Sequence, residues 1–309
     1  MKLIQVRNLL AIAEHGSVRA AARHLGVAQS ALTRSMQELE RELDVSLFDR
    51  EAKGISLTPT GQRFLTRAQI IQNEVRRAQE EIEQLRGSAT GSVYVGLSTV
   101  TQIALFPYAI KAFCARYPEV VLNVRDGLFP TIEPLLKSGT LDCYVGPILV
   151  PSPAPDLLVE KLVDNTRVIL CRKGHPLAGA RSLSELADAE WVTTSVTFKP
   201  EEELGPLFAQ YGLPKPKLVL RAHSALMFLT ALTTTDMVAA LPVQFAELAM
   251  TGATLDIIKV KEPLPEPPVC LVRRSGLPPT PAVEYFCDMI RRASVHLENE
   301  RKTRSAVQK

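Results

Sequence analysis

The sequence has few cysteines, and none of them has the spacing of a metal site or a disulfide framework. Its five cysteines are scattered over 309 residues without a CxxC pair: Cys114, Cys143, Cys171, Cys270 and Cys287. An odd and dispersed set indicates buried reduced thiols. The five histidines likewise show no metal-ligand spacing. We therefore expect neither a metal nor a cofactor.

Long apolar runs and common catalytic motifs are also missing. No apolar run reaches the ~18 residues of a membrane-spanning helix, and the N-terminus lacks the basic-then-apolar layout of a signal peptide. We therefore expect a cytoplasmic chain without membrane contact. The sequence contains no GxGxxG, P-loop or GxSxG motif, which disfavours an enzyme. With 46% hydrophobic and 22% charged residues, it is typical of a globular protein of two or three domains.

The net charge of +3 lies wholly at the N-terminal end. Residues 1–70 contain ten lysines and arginines against seven acidic residues, and charges balance in the rest of the chain. Such an excess is expected where a chain meets a polyanion, although alone it is a weak indication.

Two helices separated by a short break are predicted around the stretch AARHLGVAQSALTRSMQELE, residues 21–40. Ser17 can cap the first helix, and Gly26 permits the positive φ that ends it. An upstream helix at residues 3–14 would close the core. The second helix has one apolar stripe, formed by Leu32, Met36, Leu39 and Leu43. This layout indicates a helix-turn-helix, in which polar residues at the start of the second helix face DNA bases: Gln29, Ser30, Thr33 and Arg34.

The run VSLFDREAKGISLTPTG, residues 45–61, predicts two short strands around a turn at Lys53 and Gly54. These strands would form a wing that places Arg50 and Lys53 beside the second helix. Cations in that position contact phosphate and add affinity without sequence information. The wing disfavours the simpler alternative, an ordinary helical hairpin with a solvated polar face.

The stretch at residues 21–61 resembles the DNA-binding domain of LysR-type transcriptional regulators. The resemblance continues along the chain and includes CRKGHPLAG at residues 171–179. It implies that the four polar residues of the second helix read DNA and that Arg50 is a wing contact. Ser30 stands where the family most often has proline, so we expect a slightly different start of the reading helix. Segments at residues 123–130 and 211–218 look like those of regulators of aromatic sulfonate or carboxylate catabolism.

A long helix is predicted after the wing, capped by Thr58 with Pro59 at its first position. Because such a helix spans about 40 Å, it cannot bury its apolar seam within one small domain, and we expect it to join two chains. The alternative is packing on its own domain, whereas the family resemblance implies an antiparallel pair. The seam alternates spacings of four and three over about three heptads: Phe64, Ala68, Ile71, Val75, Ala78, Ile82 and Leu85.

Strands and helices alternate beyond residue 91, which predicts a parallel α/β unit followed by a second series. Strands are predicted at 93–97, 121–125, 141–145, 167–171, 191–194, 218–221, 237–240 and 269–273. Helices are predicted near 103–117, 132–137, 202–211, 225–233, 244–250 and 282–297. The resemblance implies a periplasmic-binding-protein-like effector domain of two subdomains, joined by crossovers near residues 162–166 and 263–268.

The predicted fold class is α/β with an all-α-type winged helix-turn-helix at the N-terminus and a long linker helix. The winged helix-turn-helix occupies residues 1–58, and the linker helix with its hinge occupies 59–90. The effector-binding domain occupies 91–309, with subdomain I at 91–162 and 268–309 and subdomain II at 163–267.

The cleft between the predicted subdomains is the expected effector site. Ligands of α/β sheets lie beyond the carboxyl ends of strands, where helix N-termini present free N–H groups to anions. A small-anion site is therefore predicted; the alternative is that its hydroxyls only cap helices. The candidate residues are hydroxyls, an aromatic ring and a glycine corner: Ser98, Thr99, Thr101, Phe129, Gly146, Thr194, Ser195 and Ser224.

These features predict a transcriptional regulator whose partners are double-stranded operator DNA, a small anionic effector and a second copy of the chain. We expect a homodimer through the linker helix and a homotetramer, with contact to RNA polymerase left open. An extracellular solute-binding protein would share the cleft but needs a signal peptide and no reading helix. The remaining alternative is a redox-responsive regulator triggered through Cys143 or Cys171.

Overall fold

The computed structural model describes residues 1–51, 54–148, 155–193, 204–222, 224–247 and 253–307. The chain divides into two compact units, Met1–Thr90 with Leu135–Leu141, and Gly91–Pro134 with Asp142–Lys309. The first unit is mostly helical, whereas the second is built on a mixed β-sheet.

The first unit begins with helices that precede a β-hairpin: α1 Leu3–His15, α2 Val18–Leu25, α3 Gln29–Leu43, β1 Phe48–Glu51 and β2 Gly54–Leu57. Ser17 Oγ accepts a hydrogen bond from the Ala20 N–H at 3.1 Å and so caps α2. Gly26 ends α2 with a φ of 66°, a backbone conformation that glycine adopts without steric cost. Both predicted helix signals are therefore confirmed.

Apolar residues from one face of each of these helices form the core of the first unit. Ala21 is fully buried, and its small side chain allows α2 to approach its neighbours closely. Asn8 Nδ2 donates to Ser35 Oγ at 3.0 Å, which joins α1 to α3. The buried core includes Val6, Leu9, Ile12, Leu32, Met36 and Leu39.

The hairpin leads into a 27-residue helix, α4 Pro59–Leu85. Thr58 Oγ1 accepts from the Gly61 N–H at 2.9 Å and donates to the Ser46 carbonyl at 2.7 Å, which confirms the predicted cap. A Cβ at Gly61 would collide with the carbonyl oxygen of Leu47. Close approach of the backbones therefore fixes the start of α4 against the chain that precedes the wing.

Two polar side chains of α4 hold a turn at residues 138–141. Asn73 Nδ2 donates to the Ser138 carbonyl at 2.9 Å. Arg77 Nη2 donates to the carbonyls of Gly139 and Leu141, both at 3.1 Å. Both side chains are largely buried. The apolar spacing of the helix does not predict these contacts.

The described part of the second unit contains nine strands: β3 Thr90–Leu97, β4 Glu119–Asp126, β5 Cys143–Pro147, β6 Leu157–Arg172, β7 Glu190–Thr193, β8 Lys217–Arg221, β9 Met237–Pro242, β10 Leu255–Ile258 and β11 Pro265–Arg274. Their order is β4-β3-β5-β11-β6-β9-β7-β8, with β10 paired to β6. β3 is parallel to β5, and β7 is parallel to β8 and β9, but β11 is antiparallel to β5 and β6. The parallel pairing of β3 with β5 agrees with the predicted parallel unit, and the antiparallel β11, which pairs with β5, makes this part of the sheet mixed.

Helices connect these strands: α5 Thr99–Ala104, α6 Phe106–Arg116, α7 Phe129–Lys137, α8 Gly205–Gln210, α9 Ala225–Thr234, α10 Gln244–Glu247 and α11 Pro281–Val307. The helix predicted at 103–117 is divided: its first residues belong to α5, and α6 begins at Phe106 with Pro107, which has no N–H to donate, in its first turn. The strand predicted at 141–145 begins only at Cys143, and the carbonyl of Leu141, which precedes it, accepts from Arg77.

The predicted crossovers lie inside two long paired strands. β6 and β11 are antiparallel, with Thr166 opposite Pro265 and Asn165 opposite Glu266. A register shift between Glu266 and Val269 marks a bulge, at which the two intervening prolines have no N–H for the ladder. The separate strands predicted at 167–171 and 269–273 are thus parts of longer strands that run through the crossovers.

Within the described ranges, no helix is long and apolar enough to cross a membrane. The same part of the chain contains no group of three histidine, cysteine, aspartate or glutamate side chains that could hold a metal ion.

Candidate functional site

The polar residues predicted to read DNA lie together on the first two turns of α3. Gln29, Ser30 and Arg34 are exposed, and Thr33 is half-buried. Leu32, on the opposite side of the helix, is buried in the core. The N-cap residue is an alanine without a side-chain hydrogen bond, so the first N–H groups of α3 have no side-chain cap. This face presents the donors and acceptors that reading of base edges requires.

Two cations at and near the start of α1 lie beside the polar face of α3. A shallow groove between α1 and α3 is lined by Lys2 and Arg7 together with Ser30, Arg34 and Glu38. Helical periodicity identifies only the apolar face of α1 and therefore misses both cations. Their one signal in the sequence is the N-terminal excess of positive charge, and side chains of this kind contact phosphates.

The wing is anchored to the reading helix through Glu40. Its Oε1 accepts from the N–H groups of Leu47 and Phe48 at 2.7 and 3.2 Å. The two strands of the wing are paired antiparallel, and the backbone of Arg50 lies in the first of them. The side chain of Arg50 and the whole of Lys53 lie outside the described residues.

The predicted dimerisation seam of α4 has two parts. Ala68 is fully buried, and Phe64 and Ile71 pack with it against the helix-turn-helix core. This half of the seam is therefore used within the unit, as the alternative prediction had it. The other seam residues are half-buried or exposed: Val75, Ala78, Ile82, whose exposed fraction is 53%, and Leu85, whose exposed fraction is 71%.

The second unit contains a cavity of about 240 Å³. α5, β9 and the turn at residues 126–128 contribute to its wall. Apolar side chains line it at Val100, Leu128, Val192, Leu241 and Phe245. Polar and charged side chains line it at Ser98, Thr99, Asp126, Thr131, Arg167 and Glu266.

Most of the predicted hydroxyls in the described part of this region make structural hydrogen bonds. Ser98 Oγ accepts from the Thr101 N–H at 3.4 Å and caps α5. Thr101 Oγ1 donates to the Val145 carbonyl at 2.9 Å, and Ser224 caps α9. Thr99 is different, because it lines the cavity beside the first turn of α5. Thr194 and Ser195 lie outside the described residues.

The first turn of α5 presents two backbone donors at the cavity wall. The Ser98 N–H donates to the Val145 carbonyl at 3.0 Å, and the Thr101 N–H is taken by the cap. Thr99 and Val100 hold the two N–H groups of this turn that have no acceptor among the described residues, as expected for a helix start. A carboxylate stands nearby, since Gln102, also on α5, donates to Asp126 Oδ1 at 2.8 Å.

Phe129 and Gly146, two further candidates, lie behind the cavity wall. Phe129 packs against Tyr144 with ring centroids 6.0 Å apart, and burial raises the pKa of Tyr144 above its usual range. A Cβ at Gly146 would collide with the Tyr144 hydroxyl and approach Ser98 Cβ at 2.8 Å. These residues support the wall, and Leu128 provides the apolar surface inside the cavity.

An ion pair, which the sequence reasoning missed, is part of the cavity wall. Arg167 on β6 pairs with Glu266 on β11, and their side chains are 22% and 9% exposed. Hydroxyls at strand ends are a local signal and do not indicate such a pair. The available signal was a cation and a carboxylate, one beside each predicted crossover.

The thiols considered for a redox trigger are fully buried. A hydrogen bond with the Cys287 thiol, together with burial, raises the pKa of Cys143. Burial raises the pKa of Cys171 to about 11. Because the thiolate is the reactive form of cysteine, both residues are poor nucleophiles at neutral pH.

Two family models match most of the chain. One is described as the LysR substrate binding domain and matches residues 86–294. The other is described as a bacterial regulatory helix-turn-helix protein of the lysR family and matches residues 3–62.

Individual relatives and a solved structure agree with these matches. HTH-type transcriptional regulator GalR of Pseudomonas putida is 26% identical over 293 residues, which cover 94% of this chain and 74% of the relative. The SDS degradation transcriptional activation protein of a Pseudomonas species is 31% identical over 216 residues, 69% of this chain and 70% of the relative. The crystal structure of CbnR, a LysR family transcriptional regulator, has a TM-score of 0.69 at 21% identity and covers 95% of this chain and 99% of its own.

An exposed reading helix in the same chain as an α/β domain with a cavity defines a DNA-binding regulator with an effector domain. The chain belongs to the LysR family of transcriptional regulators. It is therefore a DNA-binding regulator with an effector-binding domain, as the helix-turn-helix pattern and the family resemblance predicted.

Proposed function

We propose that a small anion, an aromatic carboxylate or sulfonate, is the effector and binds in the cavity of the second unit. The observation that carries this proposal is the first turn of α5, where the N–H groups of Thr99 and Val100 have no acceptor among the described residues and lie at a wall that is otherwise partly apolar. An acid group can accept from these donors while a ring contacts Leu128 and Phe245. The cavity is smaller than the ~300–1,000 Å³ of most ligand pockets, which favours a ligand of one ring.

Thermal unfolding of the full chain with benzoate, benzenesulfonate and benzyl alcohol tests this proposal. A ligand that binds only the native state raises stability by about 2.7 kcal/mol at one hundred times its Kd. We expect at least one of the two acids to raise the Tm and the neutral alcohol of similar size to leave it unchanged. An equal rise for all three compounds would show that the cavity selects the ring and not the charge.

The DNA-binding surface supports specific roles for its residues. In this proposal Gln29, Ser30, Thr33 and Arg34 contact base edges of double-stranded operator DNA, because they share the outer face of α3. Arg50 and Lys53 of the wing contact phosphates. The start of α4 at Pro59 supports placing a domain boundary at residue 58, and the division of the compact units after Thr90 supports placing another at residue 90.

The last turns of α4 support a homodimer through the linker helix. Ile82 and Leu85 would be removed from water by an antiparallel copy of the same helix. Joining two reading helices in this way strengthens binding to a two-fold operator, since the second contact becomes intramolecular.

A redox trigger is the second candidate, and the contact between the Cys143 and Cys287 thiols favours it. Full burial of both thiols weighs against it, because an oxidant must reach a thiolate. The effector proposal requires no access to either sulfur.

A further inference from the structure

We propose that Arg167 is the anion-binding cation of the effector cavity and that Glu266 is a built-in competitor, which the acid group of the effector displaces. This inference rests on the proposed function, since it requires the effector to be an anion. Arg167 would neutralise the charge of the effector, and binding would break the Arg167–Glu266 ion pair.

The charges around the cavity motivate this assignment. Among the lining residues that the structure describes, Arg167 is the only cation, whereas Asp126 and Glu266 are carboxylates. With the Arg167–Glu266 ion pair intact, an incoming anion meets a wall that is negative overall. Like charges repel strongly in a partly desolvated site. An anion therefore binds well only if its acid group takes the place of Glu266 beside Arg167.

Arg167 suits this exchange in its chemistry and its position. A guanidinium offers several N–H donors in a planar fork. This fork can bind the carboxylate or sulfonate of a ligand as well as it binds the carboxylate of Glu266. Its side chain is 22% exposed and reaches the cavity. A ligand acid group can therefore approach it from the cavity without unfolding β6.

Two buried side-chain amides could bind the Glu266 carboxylate after it is displaced. Gln244 is 2% exposed, and neither its Nε2 nor its Oε1 has a partner in the described structure. Asn165 is 8% exposed, and its Nδ2 also has no partner there. Buried amides without partners are costly and rare in native proteins. These two amides therefore indicate a place for an acceptor, which the Glu266 carboxylate does not occupy while it remains paired with Arg167.

Both residues adjoin the strand that carries Arg167, since Asn165 lies on β6 itself and Gln244 begins α10 just after β9, which pairs with β6. Asn165 is the direct cross-strand partner of Glu266. Gln244 follows Val243, whose N–H donates to the Thr166 carbonyl at 3.0 Å. When the effector takes Arg167, these amides can donate to the Glu266 carboxylate. Effector binding then replaces an ion pair across β6 and β11 with different contacts at the crossovers.

Calorimetric titration of the full-length chain with benzoate, benzenesulfonate and inorganic sulfate tests this exchange. We expect Arg167→Gln to lower the affinity for the acids by tenfold or more. We expect Glu266→Gln to raise it by tenfold or more, because the competing charge is removed while the side-chain shape is kept. Arg167→Lys keeps the charge without the planar fork and should lie between wild type and Arg167→Gln.

Arg172→Gln is the matched control. Arg172 lies on the same strand and pairs with Asp236 at 2.6 Å, and neither residue lines the cavity. This variant should bind the acids as wild type does. A thermal unfolding curve for every variant separates loss of the binding site from loss of the fold.

The possible outcomes distinguish this inference from the proposed function. Acid binding that persists in Arg167→Gln, or that weakens in Glu266→Gln, would overturn the exchange and leave the anionic effector in place. Failure of all three anions to bind either wild type or Glu266→Gln would overturn both. Binding that appears or strengthens in Glu266→Gln and is lost when Arg167→Gln is combined with Glu266→Gln supports the exchange.

Discussion

Ser98 Oγ and Thr101 Oγ1 lie 2.9 Å apart and are both buried, with Thr101 in turn donating to the Val145 carbonyl. The Ser98 hydroxyl, which the sequence marks as a ligand contact, is thus part of a structural network at the start of α5. Thr99, the next residue, lies at the cavity wall without such bonds among the described residues. Removal of the Ser98 hydroxyl should therefore mainly lower the stability of the fold, whereas removal of the Thr99 hydroxyl should mainly lower the affinity for the acid.

Ser98→Ala should lower the free energy of unfolding, since loss of an N-cap costs about 0.5–2 kcal/mol. Its effect on acid binding should be less than about threefold, a loss of well under 1 kcal/mol. Ser224→Ala is the matched control, because it removes the cap of α9 from a residue that does not line the cavity. Denaturant unfolding and calorimetry measure the two effects. Unchanged stability with a large loss of affinity in Ser98→Ala would show that this hydroxyl contacts the ligand directly.

Thr99→Val should lower the affinity for the bound acid by about tenfold or more, since a hydrogen bond to a charged group contributes about 1.5–3 kcal/mol. Valine keeps the shape of threonine, so the Tm without ligand should change little. Calorimetry with the acid that raises the Tm most checks this expectation. Full affinity in Thr99→Val would remove the hydroxyl from the site.

Thr33→Ala and Arg34→Ala should each weaken operator binding by about 1–3 kcal/mol, with less effect on non-specific DNA. Arg50→Ala should weaken binding to all sequences and flatten its salt dependence. Arg41→Ala is a useful control, because it removes an exposed cation near the far end of α3. Footprinting at matched salt compares these variants. Undiminished operator affinity in both Thr33→Ala and Arg34→Ala would mean that another surface reads the bases.

Ile82→Glu should weaken self-association of the full chain by tenfold or more without lowering the Tm of the monomer. A charge buried at a helix pair without a partner must lose its hydration, whereas Ile82 is half exposed in the single chain. Ile71→Glu is the less specific change, because Ile71 packs against the helix-turn-helix core. Sedimentation velocity over a range of concentrations measures the effect, with Gln79→Glu as the control at an exposed site. The same association constant in Ile82→Glu and wild type would place the dimer contact elsewhere.

Iodoacetamide at pH 8 should modify exposed Cys114 and leave the four buried thiols intact. Burial raises the pKa of Cys171 and Cys270 to about 11, so their reactive thiolates form only at pH values well above neutral. The reaction rate of Cys171 should therefore rise as the pH increases toward 11. Mass spectrometry locates the modified residues. Rapid modification of Cys143 or Cys171 in the folded protein, with loss of the response to acid, would favour the redox trigger.

Sequence patterns that involve residues three or four positions apart predict much of the fold. Ser17, Gly26 and Thr58 cap or end helices in the expected way, because their effect depends on the neighbouring backbone alone. The break at Pro107 was available from the same kind of signal and was missed. The antiparallel placement of β11 depends on pairing between distant parts of the chain, which local periodicity does not contain.

Local sequence patterns place the outer face of α3 more completely than they place the cavity. The proposed DNA-reading residues share one helix face, so the spacing of Leu32, Met36 and Leu39 places them without knowledge of the remaining fold. Arg167 and Glu266 meet only because β6 and β11 pair at the crossovers. Such a contact between distant strands has no periodic signature, although both charges are visible in the sequence.

The most direct measurement is operator affinity with and without the bound acid. Operator DNA selected by the protein from a random duplex library is labelled and titrated with the full chain, and its fluorescence anisotropy is followed. An effector changes DNA binding only if it binds one conformation of the protein more tightly than another. We predict that a saturating acid shifts the titration midpoint by about fivefold or more in wild type and that benzyl alcohol does not. Superimposable titrations with and without saturating acid would contradict regulation by a small anion.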